Sequence, residues 1–211
     1  YVWGDDDEAE ICSWGIDKKK IVIIPPVFSD ISTAKKWKEN SAMDFLFIGS
    51  YDHVPNRDTI DFIITNLWDD ILKIYPDSKL FLVTGRNGSQ LHIDKPNVIN
   101  LGFVDSVYNV MKTCNIMLAP MISGTGIKVK IVESFGYGIP VISTSIGFRN
   151  FINLDREKCL IADTSSGIID KIIKIKNNKL HLSEISAYQL DYFKITFSEN
   201  NYLLYNATYG A

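Results

Sequence analysis

Short apolar runs alternate with longer amphipathic segments through the centre of the chain, and this alternation restricts the fold more than any other feature. The apolar runs cover residues 45–49, 80–83, 98–102, 116–119, 141–142 and 159–162. Strands that are apolar throughout are typical of parallel sheets, because helices cover both of their faces. The sequence therefore predicts an α/β fold, a Rossmann-like parallel sheet of about six strands with helices on both faces, between residues 44 and 175.

The segments between these runs carry the spacing and end signals of helices. Apolar side chains recur at helical spacing in the predicted helix 55–75, and Asp105 is the expected cap of the helix 105–114. Further helices are predicted at 126–137 and 165–175. Residues 5–14 begin with acidic side chains and end before Gly15, which predicts one more helix.

A glycine-bearing loop joins the strand 116–119 to the helix 126–137. Such a junction points free N–H groups and the positive end of a helix dipole at the rim of the sheet. Lys128 and Lys130 follow in the first turns of that predicted helix, and Glu133 lies further along it. The loop suits an anion and the carboxylate suits a polyol, so a phosphorylated sugar carrier is the expected ligand.

Simpler interpretations of these residues stay open at this point. One alternative is an ordinary surface pair on an exposed helix face between Glu133 and Lys130, which are three residues apart. The second alternative is that Lys128 and Lys130 are ordinary solvated lysines, and the third is that Gly124 and Gly126 serve only a tight turn.

Several ordered motifs together resemble one known family. Residues 47–50, 55–57, 82–86, 101–104 and 124–141 contain these motifs, which include Phe-Ile-Gly-Ser, Pro-Asn-Arg and Gly-Thr-Gly-Ile-Lys-Val-Lys. In this order and spacing the chain resembles the C-terminal, donor-binding half of retaining GT-B fold glycosyltransferases of the group 1, or family-4, type. The resemblance covers residues 22–173.

The resemblance implies roles for individual residues. The loop Gly124, Thr125 and Gly126 would meet a diphosphate with Lys128 or Lys130, and Glu133 would take the ribose hydroxyls. The base would lie near Phe103 and Val104. Glu133 and Lys128 are the implied catalytic residues, and Gly49 and Arg86 complete the implied donor-binding set. The family's usual second glutamate corresponds to Thr125 here, and Arg57 or Arg86 would replace the phosphate-binding basic residues that often follow the first strand.

Composition excludes several partners. The formal net charge of −3 and the absence of a basic tract argue against nucleic acid. No apolar run reaches the ~20 residues that span a bilayer. The cysteines lack metal-ligand spacing and are interpreted as buried free thiols in a reducing compartment. Asp5, Asp6 and Asp7 are interpreted as an acidic helix start rather than a metal site, so neither a metal nor a cofactor is expected beside the donor substrate.

The expected organisation and function follow from the resemblance. Residues 1–20 would be a remnant of an N-terminal domain or an inter-domain helix, and 21–43 a linker with a short strand at 21–24. Residues 44–178 would be the nucleotide-sugar-binding domain, and 179–211 terminal helices that pack on residues 1–20 or project outward. The parent enzyme would transfer a hexose with retention to a glycan or lipid-linked acceptor. Its location would be cytoplasmic, at the inner face of a membrane contacted only by the absent domain. The isolated chain would bind donor without transferring it. A GT-B-fold UDP-sugar 2-epimerase and a non-catalytic nucleotide-binding module are the alternatives.

Overall fold

The computed structural model describes residues 1–28 and 43–198, and a single parallel sheet organises them. Its strands are β1 (Phe45–Ile48), β2 (Leu80–Val83), β3 (Val98–Asn100), β4 (Ile116–Ala119), β5 (Val141–Ser143) and β6 (Leu160–Ile161). They lie in the order β3-β2-β1-β4-β5-β6, and every pairing is parallel. The predicted six-stranded parallel sheet is therefore confirmed.

The helices follow the expected alternation with the strands. They are α1 (Asp5–Ser13), α2 (Val54–Asn66), α3 (Trp68–Ile74), α4 (Val107–Met111), α5 (Val129–Gly136), α6 (Ser165–Lys176) and α7 (Leu182–Thr196). The connection from β1 to β2 moves toward the edge strand β3, and the connection from β4 to β5 moves toward the opposite edge strand, β6. Because such crossovers are right-handed, the helices between them cover opposite faces. The strand order therefore reverses between β1 and β4, and this is where open α/β sheets bind ligands.

The predicted helix 55–75 is two helices, because the backbone leaves the helical conformation at Leu67. Leu67 has φ −126° and ψ −41°, and α3 begins directly after it. The change of direction buries Trp68, whose indole Nε1 donates to the Pro96 carbonyl at 2.7 Å and whose ring meets Phe45 edge-on. Tertiary burial of this tryptophan overrides the continuous helical pattern.

Two predicted ends are wrong because local backbone conformations decide them. Ser106, not Asp105, caps α4: its backbone is extended, and its Oγ accepts the Asn109 N–H at 3.3 Å. The helix predicted from residue 126 begins only at Val129, because Gly126 has a φ of +66° that no α-helix accepts.

The strand predicted at 21–24 is also wrong. Only an isolated bridge joins Val2 to Ile23, and Pro25 and Pro26 follow without N–H groups to extend the ladder. The polar linker predicted at 29–41 and the end of the terminal segment, residues 199–211, lie outside the described residues.

The terminal helix α7 packs differently from the expectation, because it binds the sheet-containing core. Ser186 Oγ donates to the Gly138 carbonyl at 2.7 Å, and Gln189 Oε1 accepts the Val141 N–H at 3.2 Å. Phe193 and Phe197 are buried in the same apolar core as the strands. The helices on either side of residue 178 thus share one core, while the division of the chain into domains stays a prediction.

Candidate functional site

The loop between β4 and α5 presents backbone N–H groups at the reversal of the strand order. Gly124 and Gly126 have φ values of +102° and +66°, which only glycine adopts without strain. Among the described residues, the N–H groups of Gly124 through Lys128 have no hydrogen-bond acceptor. Consecutive free N–H groups beside the positive end of α5 favour the binding of an anion.

Lys128 lies inside this loop rather than in the helix. It is the N-cap residue of α5, with φ −94° and ψ 94°, so its predicted place in the first turn is wrong. Its Nζ donates to the carbonyls of Gly126 at 2.7 Å, Thr125 at 3.0 Å and Gly124 at 3.4 Å. Burial lowers the pKa of Lys128, and the nearby charge of Arg149 lowers it further. The ammonium thus forms hydrogen bonds with the loop carbonyls, and the N–H groups of the loop remain free for another partner.

Lys130 reaches from α5 to the end of β1. Its Nζ donates to Asn56 Oδ1 at 2.5 Å and lies 4.4 Å from the centroid of the Phe47 ring. Burial lowers the pKa of Lys130 to about 7, with a smaller contribution from the charge of Lys128. This ammonium therefore lies in a poorly solvated position where its partners are uncharged.

Gly49 allows this approach because it has no side chain. A Cβ at this position would lie 2.5 Å from Asn56 Cγ and 2.7 Å from Lys130 Nζ, distances that no real contact shows. Asn56 itself was not predicted as a site residue. The signal that would have found it is a short amide side chain in the first turn of the helix that follows β1, directly after Pro55.

Glu133 is half-buried on α5, about one turn beyond Lys130. Among the described residues its carboxylate forms neither a hydrogen bond nor an ion pair, so the alternative surface pair with Lys130 is not present there. Burial raises the pKa of Glu133. The charge of Glu133 in turn helps burial to raise the pKa of Tyr137, whose ring lies 4.7 Å from that of Tyr108. A desolvated carboxylate without a counter-charge suits hydroxyl donors of a ligand.

A second part of the rim follows β2 and β3. The Arg86 guanidinium carbon lies 4.2 Å from the centroid of the Phe103 ring, which is 49% exposed. Asn100, which the sequence did not single out, fixes the loop after β2 by donating to the carbonyls of Gly88 at 2.8 Å and Leu91 at 3.0 Å. A flat aromatic and guanidinium surface on a fixed loop is suited to stacking. Val104, which follows Phe103, is half-buried against the core.

The turn after β1 contains the remaining candidates. Arg57 donates to the Tyr51 carbonyl at 3.3 Å, and its guanidinium lies 5.8 Å from the Tyr51 ring centroid. Asp52 accepts from Ser50 Oγ and from Asn87 Nδ2. Arg57 is thus already engaged with the turn, whereas Arg86 stacks on an exposed ring.

The acidic side chains at the start of α1 accept hydrogen bonds from elsewhere in the chain. Asp6 accepts the Asn150 N–H and Asp7 accepts from Asn150 Nδ2, both at 2.8 Å. Within residues 1–28 and 43–198, no group of three or more His, Cys, Asp or Glu side chains is arranged to hold a metal ion. The same residues include no helix with the length and apolarity that membrane crossing requires.

A single parallel sheet, with helices between its strands and a reversal of strand order between β1 and β4, defines a Rossmann-like α/β domain. The sequence model of the family "Glycosyl transferases group 1" matches residues 42–178, and the chain belongs to this family. The resemblance found in the sequence is therefore confirmed at the level of a group 1 GT-B glycosyltransferase domain.

Comparison with an individual protein also finds a glycosyltransferase. The chain is 30% identical over 156 residues to the Escherichia coli O-antigen biosynthesis glycosyltransferase WclY, a match that covers 67% of this chain and 40% of the relative. The match thus spans about two fifths of the curated relative's length.

Solved structures share the fold. S. aureus TarM, in complex with fondaparinux, alpha-GlcNAc-glycerol and UDP, aligns with a TM-score of 0.75 at 16% identity over 98% of this chain and 42% of that one. Anabaena Alr3699/HepE, in complex with UDP and glucose, aligns with a TM-score of 0.73 at 13% identity over 100% of this chain and 62% of that one. At these identities the likeness concerns the fold alone.

Proposed function

We propose that the chain is the donor-binding part of a retaining glycosyltransferase and that it binds a nucleoside diphosphate sugar at the rim between β1 and β4. One observation carries the proposal. Lys130 and Glu133, a partly desolvated cation and a partly desolvated anion, lie about one turn apart on α5 without a salt bridge between them. A ligand with an anionic diphosphate and a ribose diol would satisfy both groups.

The proposed chemistry needs charge stabilisation more than proton transfer. As the anomeric carbon–oxygen bond breaks, negative charge builds on the departing nucleoside diphosphate. The free N–H groups of the loop, the positive end of α5 and the Lys130 ammonium would stabilise that charge without a metal ion. Lys128 would keep the loop carbonyls away from the phosphates, and Glu133 would orient the ribose.

The base would lie on the rim near Phe103 and Val104, with Arg86 beside it. The stacked surface of Arg86 and Phe103 supports this placement, because a nucleobase offers a flat face to it. Gly49 belongs to the proposed site because a side chain there would displace Lys130.

The acceptor is proposed to be a glycan or a lipid-linked sugar, and the transferred group a hexose. The E. coli relative is an O-antigen biosynthesis glycosyltransferase, which supports this class of product. Groups that bind the acceptor would come from a further domain of the parent protein, which would also supply any contact with the inner face of the cytoplasmic membrane. Residues 1–211 alone would then bind donor and transfer poorly.

Thermal unfolding with UDP, GDP and ADP, each with and without EDTA, tests the donor site. A ligand at ten times its dissociation constant would stabilise the fold by about 1.4 kcal/mol. We expect one of these nucleotides to do so equally with and without chelator, and its nucleoside to do so less. If all three nucleotides at millimolar concentration leave the unfolding temperature unchanged, the donor site is rejected.

A transfer assay on the parent protein tests the reaction. We expect a product with the anomeric configuration of the donor, and no comparable transfer by residues 1–211 alone. An inverted product would reject the retaining assignment. Conversion of the nucleotide sugar to its 2-epimer without an acceptor would favour the epimerase, and binding without turnover in the parent would favour a non-catalytic module.

A further inference from the structure

Asn56 occupies a position between the turn after β1 and the amine of Lys130. The side chain is only 8% exposed, and both ends of its amide are used. Nδ2 donates to the Ser50 carbonyl at 2.9 Å, which directs Oδ1 toward Lys130 Nζ at 2.5 Å. The amide thus has one orientation, and that orientation offers an acceptor to the ammonium.

The surroundings of Lys130 hold the ammonium without cancelling its charge. The groups close to it include the Phe47 ring of β1, Gly49 after β1 and Asn56 of α2, and these three are neutral. The charged group that acts on it is Lys128, which has the same sign. A carboxylate in the place of Asn56 would form an ion pair and leave little positive potential at the rim. An amide fixes the position of the ammonium while the net charge remains.

We propose that Asn56 is a positioning residue that holds the Lys130 ammonium at the end of β1 as the cation that receives the donor diphosphate, while Lys128 shapes the neighbouring loop. This inference rests on the proposed function and adds to it a division of work between the two lysines. The Lys128 ammonium already donates to three carbonyls, whereas the Lys130 Nζ has a single hydrogen-bonding partner, Asn56 Oδ1, among the described residues.

The arrangement couples binding to proton uptake. In the free protein Lys130 has a pKa of about 7, so at pH 8 most molecules carry a neutral amine there. A diphosphate beside it favours the charged form and raises the pKa, so Lys130 takes up a proton on binding. The phosphates are fully ionised at pH 8, since their last pKa is about 6, and the proton is therefore taken up by the protein. Affinity should fall as the pH rises above 7.

The experiment compares the wild-type chain with Asn56→Asp, Asn56→Ala and the control Asn115→Ala. Asn115 is also a buried asparagine, but it lies before β4, at the opposite edge of the sheet, where its Oδ1 accepts the Asp44 N–H at 3.0 Å. NMR of ¹³C-labelled lysine, assigned with Lys130→Met, gives the pKa of Lys130 without ligand. Calorimetric titration with UDP at pH 8, in two buffers of different ionisation enthalpy, gives affinity and proton uptake.

The two Asn56 variants should move the pKa of Lys130 in opposite directions. Asn56→Asp should raise it by about 1–3 units, since an opposite charge favours the ammonium, and Asn56→Ala should lower it. Both should weaken UDP binding about tenfold or more. Asn56→Ala loses the hydrogen bond to the Lys130 ammonium, and Asn56→Asp cancels the charge of that ammonium. Affinity for uridine should change far less. Asn115→Ala should alter neither the Lys130 titration nor UDP affinity, although it lowers the unfolding temperature.

Three outcomes would overturn the inference. They are an unchanged Lys130 titration in both Asn56 variants, UDP affinity in those variants equal to wild type, or UDP binding to the wild type without proton uptake at pH 8. If the wild type binds no UDP, GDP or ADP, the proposed function fails and the diphosphate role of Lys130 fails with it. The titration of the ligand-free protein still decides separately whether Asn56 positions Lys130.

Discussion

The two edges of the sheet use polar side chains in opposite ways. At the amino edge, Asn115 Oδ1 accepts the Asp44 N–H at 3.0 Å, and the Asp44 carboxylate accepts the Lys79 N–H at 2.9 Å. Side chains there complete the hydrogen bonding of the backbone where strands begin. At the carboxyl edge, Lys130 and Glu133 carry charges that no opposite charge among the described residues neutralises.

This difference separates residues that stabilise the fold from residues that keep a binding potential. Burial of an unpaired charge costs free energy, and the same charge in a poorly solvated position acts more strongly on a ligand. Sites that keep such charges are less stable than they would be with neutral residues. Substitutions at the amino edge should therefore change stability alone, and those at the carboxyl edge should change binding.

The largest expected effect comes from Gly49→Ala, because the added methyl group should clash with side chains at the carboxyl edge. Its Cβ would lie within 2.7 Å of both Asn56 and Lys130, so the two side chains have to shift. We expect a loss of about 1–3 kcal/mol in the free energy of unfolding, typical of overpacking, and loss of UDP binding. Chemical denaturation and calorimetric titration measure the two quantities.

A control for Gly49→Ala is Gly15→Ala, in the turn that follows α1. Gly15 has φ +89° with open space around its Cβ position, so the change adds backbone strain of roughly 1–2 kcal/mol without a clash. UDP affinity should stay at the wild-type value there. Wild-type affinity in Gly49→Ala would show that the close approach of Asn56 and Lys130 is not needed for binding.

The second effect, at the amino edge, comes from Asn115→Ala. The change removes the acceptor of the partly buried Asp44 N–H, and we expect a loss of about 1–2 kcal/mol of stability from the hydrogen bond left unmade. Nucleotide affinity should not change. A weaker affinity for UDP in this variant would mean that the two edges are coupled and that the comparison fails.

Much of the fold was predictable because it depends on local patterns. The apolar runs identified all six strands. A strand buried on both faces, such as β4, has to be apolar along its whole length. The break at Leu67 was not predictable, because it depends on where Trp68 finds its partner Pro96. The cap at Ser106 was missed because both Asp105 and Ser106 are good capping residues, and only the backbone conformation distinguishes them.

The candidate site was predictable in its composition but not in its contacts. The sequence pointed to both lysines, Glu133 and the glycine loop. It placed Lys128 in the helix, because nothing in the spacing shows that Gly126 adopts a positive φ and delays the helix to Val129. The contact of Lys130 with Asn56 joins residues 74 positions apart, and a single sequence carries no signal for it.

The third effect is a pH dependence of stability that belongs to Lys130. Its pKa is about 7 in the folded protein and 10.5 in the unfolded reference, so between these values the unfolded state binds more protons. Stability should therefore rise with pH from about 7 toward 10.5, by at most about 1.4 kcal/mol per pH unit. Lys130→Met should remove most of this slope. Because this variant lacks the unpaired charge, it should be at least as stable as the wild type at pH 7.

Urea denaturation at pH 7, 8 and 9 checks the slope in both proteins. Lys128→Met is the comparison, because its lowered pKa gives a slope of the same sign but its ammonium holds the loop carbonyls. That variant should lose stability at pH 7. An equal slope in the wild type and Lys130→Met would place the titrating group elsewhere.

The smallest effect concerns the stacked pair of Arg86 and Phe103. An exposed cation–π contact contributes about 0.5–1 kcal/mol, so Arg86→Ala should lower stability by no more than that. Lys176→Ala is the matched control, because Lys176 Nζ lies 4.5 Å from the centroid of the Tyr75 ring. Lys176 ends α6, and Tyr75 directly follows α3. Both variants should lose similar stability, and only Arg86→Ala should bind UDP more weakly.

Titration with inorganic pyrophosphate then separates the two roles open to Arg86. If the guanidinium supports the base, pyrophosphate affinity should stay near the wild-type value while UDP affinity falls. If Arg86 is the phosphate contact that replaces the missing basic residues after β1, both affinities should fall together. Unchanged binding of both ligands would remove Arg86 from the site and confine the charged part of the rim to α5 and its loop.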